Sequence, residues 1–191
     1  RRISRIHITV SPEHHLAVTD FLREICPRYE GIFSLSYDVA VSCQETETNT
    51  IAVDMDNRVF RTEDGLLYLR PGGHGALLKN MNELDGDIIF LKNIDNVAPD
   101  HLKELTVRYK KILAGLLLER QEESFRYLQC LRAEHVDGET IAAADRFCRE
   151  KLHITFPNDH HRWSPEKKKA VQFRKLARPI RVCGVVRNEG E

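Results

Sequence analysis

The sequence has no excess of charge of either sign, because 29 lysine and arginine residues balance 29 acidic residues. Proteins that bind nucleic acid usually carry a basic excess, so this composition argues against that class. The sequence also lacks a run of about 18 apolar residues, which a membrane-spanning helix would need. The N-terminal residues lack the apolar segment of a signal peptide. We therefore expect neither a nucleic-acid partner nor a membrane.

Cysteine is scarce and irregularly spaced, with five residues and no CxxC motif. An odd number of scattered cysteines does not favour a disulfide framework, and it gives no zinc-binding spacing. Free thiols are typical of a reducing compartment, so we predict a cytoplasmic location.

Glycine and amide residues are concentrated in one stretch, residues 66–96. Its pattern predicts a strand over 66–69, a glycine turn, a helix with apolar residues at helical spacing, and a buried strand over 88–91. This arrangement is how α/β proteins present backbone N–H groups to a phosphate or a base. The amides and the carboxylate of residues 93–96 follow the second strand, at the edge where open sheets bind ligands.

Elsewhere, alternation predicts strands over 6–10, 32–41 and 50–53, and the Ser11-Pro12 pair starts a helix. Helical patterns follow over 101–132 and 139–152 and after Ser164, and 180–186 suggests a late strand. We predict one α/β domain over residues 1–191, with a mixed, mostly parallel sheet flanked by helices and a helical insertion at about 100–178. Both ends look cut, so we expect a fragment of a longer protein.

The sharpest chemical signal is the segment Gly72, Gly73, His74 and Gly75. Glycines let backbone amides approach a ligand closely because no Cβ intervenes. His74 could donate to a phosphate or carbonyl oxygen. The alternative is a tight turn with an exposed histidine, and the spacing alone does not decide between the two.

A second candidate is Asp95, which lies between amide-rich neighbours after the predicted strand. Its carboxylate could bind Mg²⁺, which prefers hard oxygen ligands. Asn93 and Asn96 could bind sugar hydroxyls. The alternative for all three is a turn in which the side chains bond to nearby backbone.

The runs RPGGHGAL (70–77) and NIDN (93–96) resemble two motifs of the nucleotide-sugar pyrophosphorylases. UDP-glucose pyrophosphorylases carry PPGHGD and a strand ending in NSDN, and the UDP-N-acetylhexosamine enzymes have equivalents. The whole chain is also similar to a bacterial family of this nucleotidyltransferase-like fold. The runs that carry that similarity are RPGGHGAL, KNIDN, TVRYKK, RPIRVCG and NEGE.

The resemblance implies a nucleotide-diphospho-sugar transferase-like fold and a role for each matching residue. Gly72, Gly73, His74 and Gly75 would contact uracil and ribose. Asp95 would be the catalytic, Mg²⁺-binding aspartate. The residues near the sugar phosphate would be Asn93, Asn96 and Gly184.

The implied reaction is UTP plus sugar 1-phosphate giving UDP-sugar plus pyrophosphate. Ala76 stands where the UDP-glucose enzymes have aspartate, and the glycine-rich loop that holds the triphosphate would lie before Arg1. We therefore expect this chain to be incomplete as an enzyme. The alternative is a non-catalytic domain that binds a nucleotide or nucleotide sugar.

Overall fold

The computed structural model describes residues 2–93, 97–185 and 187. The chain divides into two compact units, residues 1–91 and residues 92–191, and each is described by itself. The first unit contains the glycine turn, and the second contains the long helices.

A parallel strand pair forms the centre of the first unit. Strand β1 (Arg2–Val10) and strand β2 (Leu35–Cys43) pair in register, from Arg2 opposite Leu35 to Val10 opposite Cys43. Helix α1 (His15–Phe33) connects the strands, and the chain leaves it through Ser34 in the left-handed region, with φ 53°. A connecting helix is what a parallel pair requires.

Helix α1 covers one face of the strand pair. Ile8 and Val39 project from that face and line a small cavity of about 190 Å³ together with Leu22 and Ile25 of α1. Because side chains alternate along a strand, the residues between these positions lie on the opposite face. Because apolar and polar residues alternate along residues 6–10 of β1, the apolar ones face the helix and the polar ones lie on the other face.

Three short segments then close a ring of backbone hydrogen bonds. The N–H of Ala52 donates to Tyr68, that of Tyr68 donates to Phe60, and that of Phe60 donates to Ala52, at 2.9–3.0 Å. The segments that contain Ala52 and Tyr68 continue their pairing as the antiparallel strands β3 (Thr50–Ile51) and β4 (Leu69–Arg70). The predicted strands at 50–53 and 66–69 thus form only in part, as the two-residue strands β3 and β4 with isolated bridges at Val53 and Leu67.

The glycine turn ends β4, as the sequence predicts. A 3-10 turn (His74–Leu77) and the short helix α2 (Leu78–Asn82) follow it. Residues 88–91 form no strand, and Phe90 and Leu91 are exposed. No neighbouring segment among the described residues pairs with this run, so its apolar composition is not sufficient to make it a strand.

The second unit is built from three helices. They are α3 (Lys103–Arg132), α4 (Gly138–Glu150) and α5 (Pro165–Leu176). Their bounds agree closely with those of the three helices predicted from the sequence. Two of their starts are capped by side chains: Asp137 accepts from the N–H of Thr140, and Ser164 accepts from the N–H of Lys167. Such caps satisfy N–H groups that have no partner inside the helix.

The core of the second unit lies where the end of α3 meets α4 and α5. Its buried members are Leu131, Ala144, Phe147, Cys148, Phe156 and Leu176. Gln172 is also fully buried, and its amide donates to the carbonyl of Ile141 at 3.1 Å. The predicted strand at 180–186 does not form in its described part, residues 180–185.

The fold class is therefore α/β, with one parallel and one antiparallel strand pair among the described residues. The predicted single mixed sheet does not form in that part of the chain, because the parallel pair and the antiparallel pair belong to two separate two-stranded sheets. The resemblance to a sugar-nucleotide transferase fold remains a prediction. Within the described ranges, no helix is both long enough and apolar enough to span a bilayer. All five cysteines fall in those ranges and are free thiols.

Candidate functional site

A polar cluster occupies the carboxyl end of the parallel strand pair, on the face opposite α1. The Oγ of Ser42 lies 2.8 Å from Nε2 of His7 and 3.2 Å from Oγ1 of Thr9. Ser42 and Thr9 are paired across the strands, so their side chains project from the same face. This edge is where α/β sheets bind ligands.

Asn80 joins helix α2 to this cluster. Its Nδ2 donates to Ser42 Oγ at 3.0 Å and to the backbone carbonyl of Cys43 at 2.8 Å. The side chain is buried, and its Oδ1 has no hydrogen-bond partner among the described residues. An unpaired buried acceptor is costly, so the two bonds made by Nδ2 must hold this amide in place.

The loop after β2 packs directly against the glycine turn. Gln44 donates to Oγ1 of Thr48 at 3.0 Å, and Thr48 Oγ1 donates to the carbonyl of Glu45. A Cβ added to Gly72 would lie 2.8 Å from the backbone oxygen of Thr48 and 3.0 Å from Cβ of Ala76. Glycine is therefore required at position 72 by packing within the protein.

The next two glycines differ from Gly72. A Cβ added to Gly73 or to Gly75 would meet nothing within 4 Å. His74 between them is exposed, and the carbonyl of Gly73 accepts from the N–H of Ala76 at 2.9 Å. The turn is thus anchored on one side by Gly72, and its remaining backbone is open to solvent.

One lysine lies between two carboxylates at this edge, so one negative charge remains in excess. Lys79 lies 3.5 Å from the carboxylate of Glu45 and 3.2 Å from that of Glu47. The hydrogen bond that Lys79 donates to Glu47, together with the charge of Glu45, raises the pKa of Lys79 above its ordinary value. The groups around the turn that remain for a ligand are mainly hydroxyls, amides and backbone N–H groups.

The structure brings together only part of the predicted site. Gly72, Gly73, His74 and Gly75 form one turn in the first unit, whereas Asn93 and Gly184 belong to the second. Asn93 is half-buried, and Gly184 is exposed with open space around its Cα.

Asp95 and Asn96 lie outside the described residues. Within the described ranges, no three histidine, cysteine or acidic side chains cluster closely enough to hold a metal ion. Asp95, the metal ligand that the sequence analysis supplies, lies outside those ranges.

Three residues of the cluster were not predicted as functional from the sequence. His7 was recognised only as a polar position in the alternation of β1, and Ser42 and Asn80 were not singled out. The available signal was positional: Ser42 is the penultimate residue of β2, and Asn80 is a polar residue of the short helix that directly follows the glycine turn. A polar residue at such a position indicates a hydrogen bond to another part of the chain, since the strand or helix forms without that side chain.

Comparison with known proteins adds one result to this geometry. No curated protein and no solved structure matches the chain. One family model, described as "Domain of unknown function (DUF4301)", matches residues 1–191. The match covers the polar cluster and the glycine turn together with every helix of the second unit, and the chain accordingly belongs to the DUF4301 family.

Proposed function

We propose that the first unit binds a nucleotide or a nucleotide sugar at the glycine turn. The observation that carries this proposal is the difference between neighbouring glycines of the turn after β4, which packs against the loop that follows β2. Gly72 is packed against Thr48, whereas Gly73 and Gly75 leave their backbone accessible. A glycine in such an exposed and well-anchored turn allows a ligand to approach the backbone closely, because it has no side chain.

The polar groups beside the turn suit the neutral parts of such a ligand. Ribose hydroxyls and the uracil edge are recognised by amide and hydroxyl groups, which Gln44, Thr48 and Asn49 supply next to the turn. Uracil is the base that the resemblance to the UDP-sugar pyrophosphorylases implies.

The reaction proposed from that resemblance is transfer of the uridylyl group from UTP to a sugar 1-phosphate, with release of pyrophosphate. When bound, Mg²⁺ would neutralise charge on the phosphates, and Asp95 is the residue proposed to hold it. The expected triphosphate loop is not part of residues 1–191. Non-catalytic binding of a nucleotide or nucleotide sugar is therefore the second proposed function, and a cytoplasmic location belongs to both.

The binding proposal is tested with UTP and UDP-glucose titrated into the protein in a calorimeter. Gly73→Val places a branched side chain over the accessible backbone, and we expect affinity to fall at least tenfold, or about 1.4 kcal/mol. Gly31→Val is the matched control, because Gly31 also has open space around it but lies in helix α1. Equal affinities in both variants would reduce the glycine segment to a turn.

The metal proposal is tested separately with Asp95→Asn, which keeps the shape and removes the charge. We expect Mg²⁺-dependent UTP affinity to fall about tenfold, and affinity measured without Mg²⁺ to stay the same. Formation of pyrophosphate from UTP and a sugar 1-phosphate separates the enzyme from the binding domain. Binding without turnover would favour the second function.

A further inference from the structure

The second unit contains a cavity that the proposed nucleotide site does not use. Its volume is about 650 Å³, and it lies where the end of α3, the start of α4 and the first half of α5 converge. Small-molecule sites commonly have volumes of roughly 300–1,000 Å³. The cavity is therefore large enough for an organic ligand of moderate size.

The floor of this cavity is apolar. Leu131 and Ile141 are buried core residues whose side chains reach the cavity, and Val136 and Phe173 are partly buried beside them. Removing a hydrocarbon chain from water against such a surface is favourable in proportion to the area covered. The floor thus favours a ligand with an apolar body.

The rim is charged, with cations in excess. Arg132 and Arg174 both line the cavity, and neither forms an ion pair with an acid in the part of the chain that the structure describes. The guanidinium of Arg132 lies 5.9 Å from the ring centre of Phe173, which keeps it next to the apolar floor. Two unpaired guanidinium groups beside an apolar surface favour a ligand with an anionic head.

The other charges of the rim are already engaged or offset. Lys169 donates to the carbonyls of Ala133 and Glu134, at 2.5 and 3.1 Å, so its ammonium fixes the loop after α3. Glu134 and Glu166 add two negative charges. The pKa of Glu166 is lowered by backbone hydrogen bonding at the start of α5, so it remains ionised at neutral pH. The arginines are the positive groups left for a ligand.

From this arrangement we propose that the cavity binds an amphipathic monocarboxylate of the medium-chain acyl class. The hydrocarbon chain lies on the floor of Leu131, Ile141 and Phe173. The carboxylate pairs with Arg132 and Arg174, whose planar guanidinium groups match its two oxygens. The proposal is independent of nucleotide binding, because every residue it uses belongs to the second unit.

The test uses calorimetric titration of the whole chain with octanoate below its micellar concentration. We expect saturable binding with one site per chain. Heptyltrimethylammonium has the same seven-carbon tail and the opposite charge, and it should bind at least tenfold more weakly. Decanoate should bind more tightly than octanoate, by up to about fourfold for each methylene that becomes fully buried. Absence of saturable octanoate binding would overturn the proposal.

Two pairs of variants separate this cavity from adventitious surfactant binding. Arg132→Gln combined with Arg174→Gln should weaken octanoate binding at least tenfold, whereas Arg178→Gln changes an exposed arginine outside the cavity and should not. Ala170→Trp fills the cavity from an exposed position and should abolish binding. Ala142→Trp, on the exposed side of α4, is its control.

Circular dichroism and thermal melting establish that each variant is folded. If Ala170→Trp does not fold, the arginine pair decides the outcome, because both side chains are exposed and their replacement by glutamine removes no buried residue. Octanoate binding that is equally strong in the arginine variant and its control would show adventitious binding only and would overturn the proposal.

Discussion

The side-chain amide of Asn80 donates to the backbone carbonyl of Cys43 at 2.8 Å, across 37 positions of the chain. This bond attaches the helix after the glycine turn to the last residue of β2. Because Ser42 accepts from the same amide, one side chain fixes the position of the turn relative to the parallel strands. The placement of the candidate site therefore depends strongly on a residue outside its glycine motif.

Asn80→Ala should destabilise the protein by about 1–3 kcal/mol, because the carbonyl of Cys43 and the hydroxyl of Ser42 both lose a donor. Urea denaturation measures this change in the free energy of unfolding. Asn82→Ala is the control, since Asn82 is exposed at the end of the same helix. Equal stability of the two variants would mean that the amide does not anchor the turn.

Gly72→Ala should lower the stability of the protein, whereas Gly73→Ala should lower its affinity for UTP. The methyl group at position 72 meets the backbone oxygen of Thr48, so we expect a loss of about 1–3 kcal/mol in the free energy of unfolding. At position 73 the methyl group meets no protein atom, and stability should change little while UTP affinity falls. Thermal melting with and without UTP checks both. Equal melting temperatures without ligand would contradict the packing of Gly72.

His160 should make the second unit less stable in acid. It is buried between Phe156 and Trp163, and its Nε2 lies 3.3 Å from Oδ1 of Asp145 without an aligned hydrogen bond. Burial lowers its pKa below 6.5, and the guanidinium of Arg149 acts in the same direction. The unfolded chain then binds the proton more readily, so stability is present above pH 6.5 and is lost as the pH falls below it.

The measurement is the free energy of unfolding from pH 7.5 to pH 5 for the protein and for His160→Gln. Between pH 7.5 and pH 5 the free energy of unfolding should fall less for the variant than for the unchanged protein. This difference is expected even if the variant is less stable at every pH because the ring contacts are gone. His161→Gln is the control, since the neighbouring ring is exposed and bonds to the carbonyl of Asn158. The same pH dependence in all three proteins would remove His160 as the cause.

Cys148 should resist alkylation in the folded protein. It is fully buried in the core of the second unit, and burial raises its pKa to about 11. The thiolate is the reactive form, so at pH 8 iodoacetamide should modify the exposed Cys130 and Cys183 first. Mass spectrometry of the digested protein identifies the modified residues. Rapid modification of Cys148 without denaturant would mean that this core opens readily.

The sequence predicted the elements whose signals are local. Alternation located β1 and β2, although the strand predicted at 32–41 begins inside α1 and β2 begins only at Leu35. The serine-proline pair at Ser164 located the start of α5, because capping depends on adjacent residues. The glycine turn was also predicted, since residues 71–73 cannot continue β4. These features follow from interactions within a few residues, and such interactions can be read directly from sequence.

The features that sequence reasoning missed depend on distant partners. The run at 88–91 has the composition of a buried strand, but a strand needs a neighbour with which to form hydrogen bonds. The bonds of Asn80 to Ser42 and Cys43 join positions almost forty residues apart. The distinction between packed Gly72 and open Gly73 likewise depends on the loop that contains Thr48.

The ring formed by Ala52, Phe60 and Tyr68 has a consequence for the order of folding. Consecutive members are eight residues apart along the chain, so two of the hydrogen bonds span eight residues and the third spans 16. The pairing of Arg2 with Leu35 spans 33 positions and needs α1 between the strands. Because short loops close faster, amide hydrogens of the ring should gain protection before those of β1 and β2 during refolding. The segment just before the glycine turn would then be structured before the strands it accompanies.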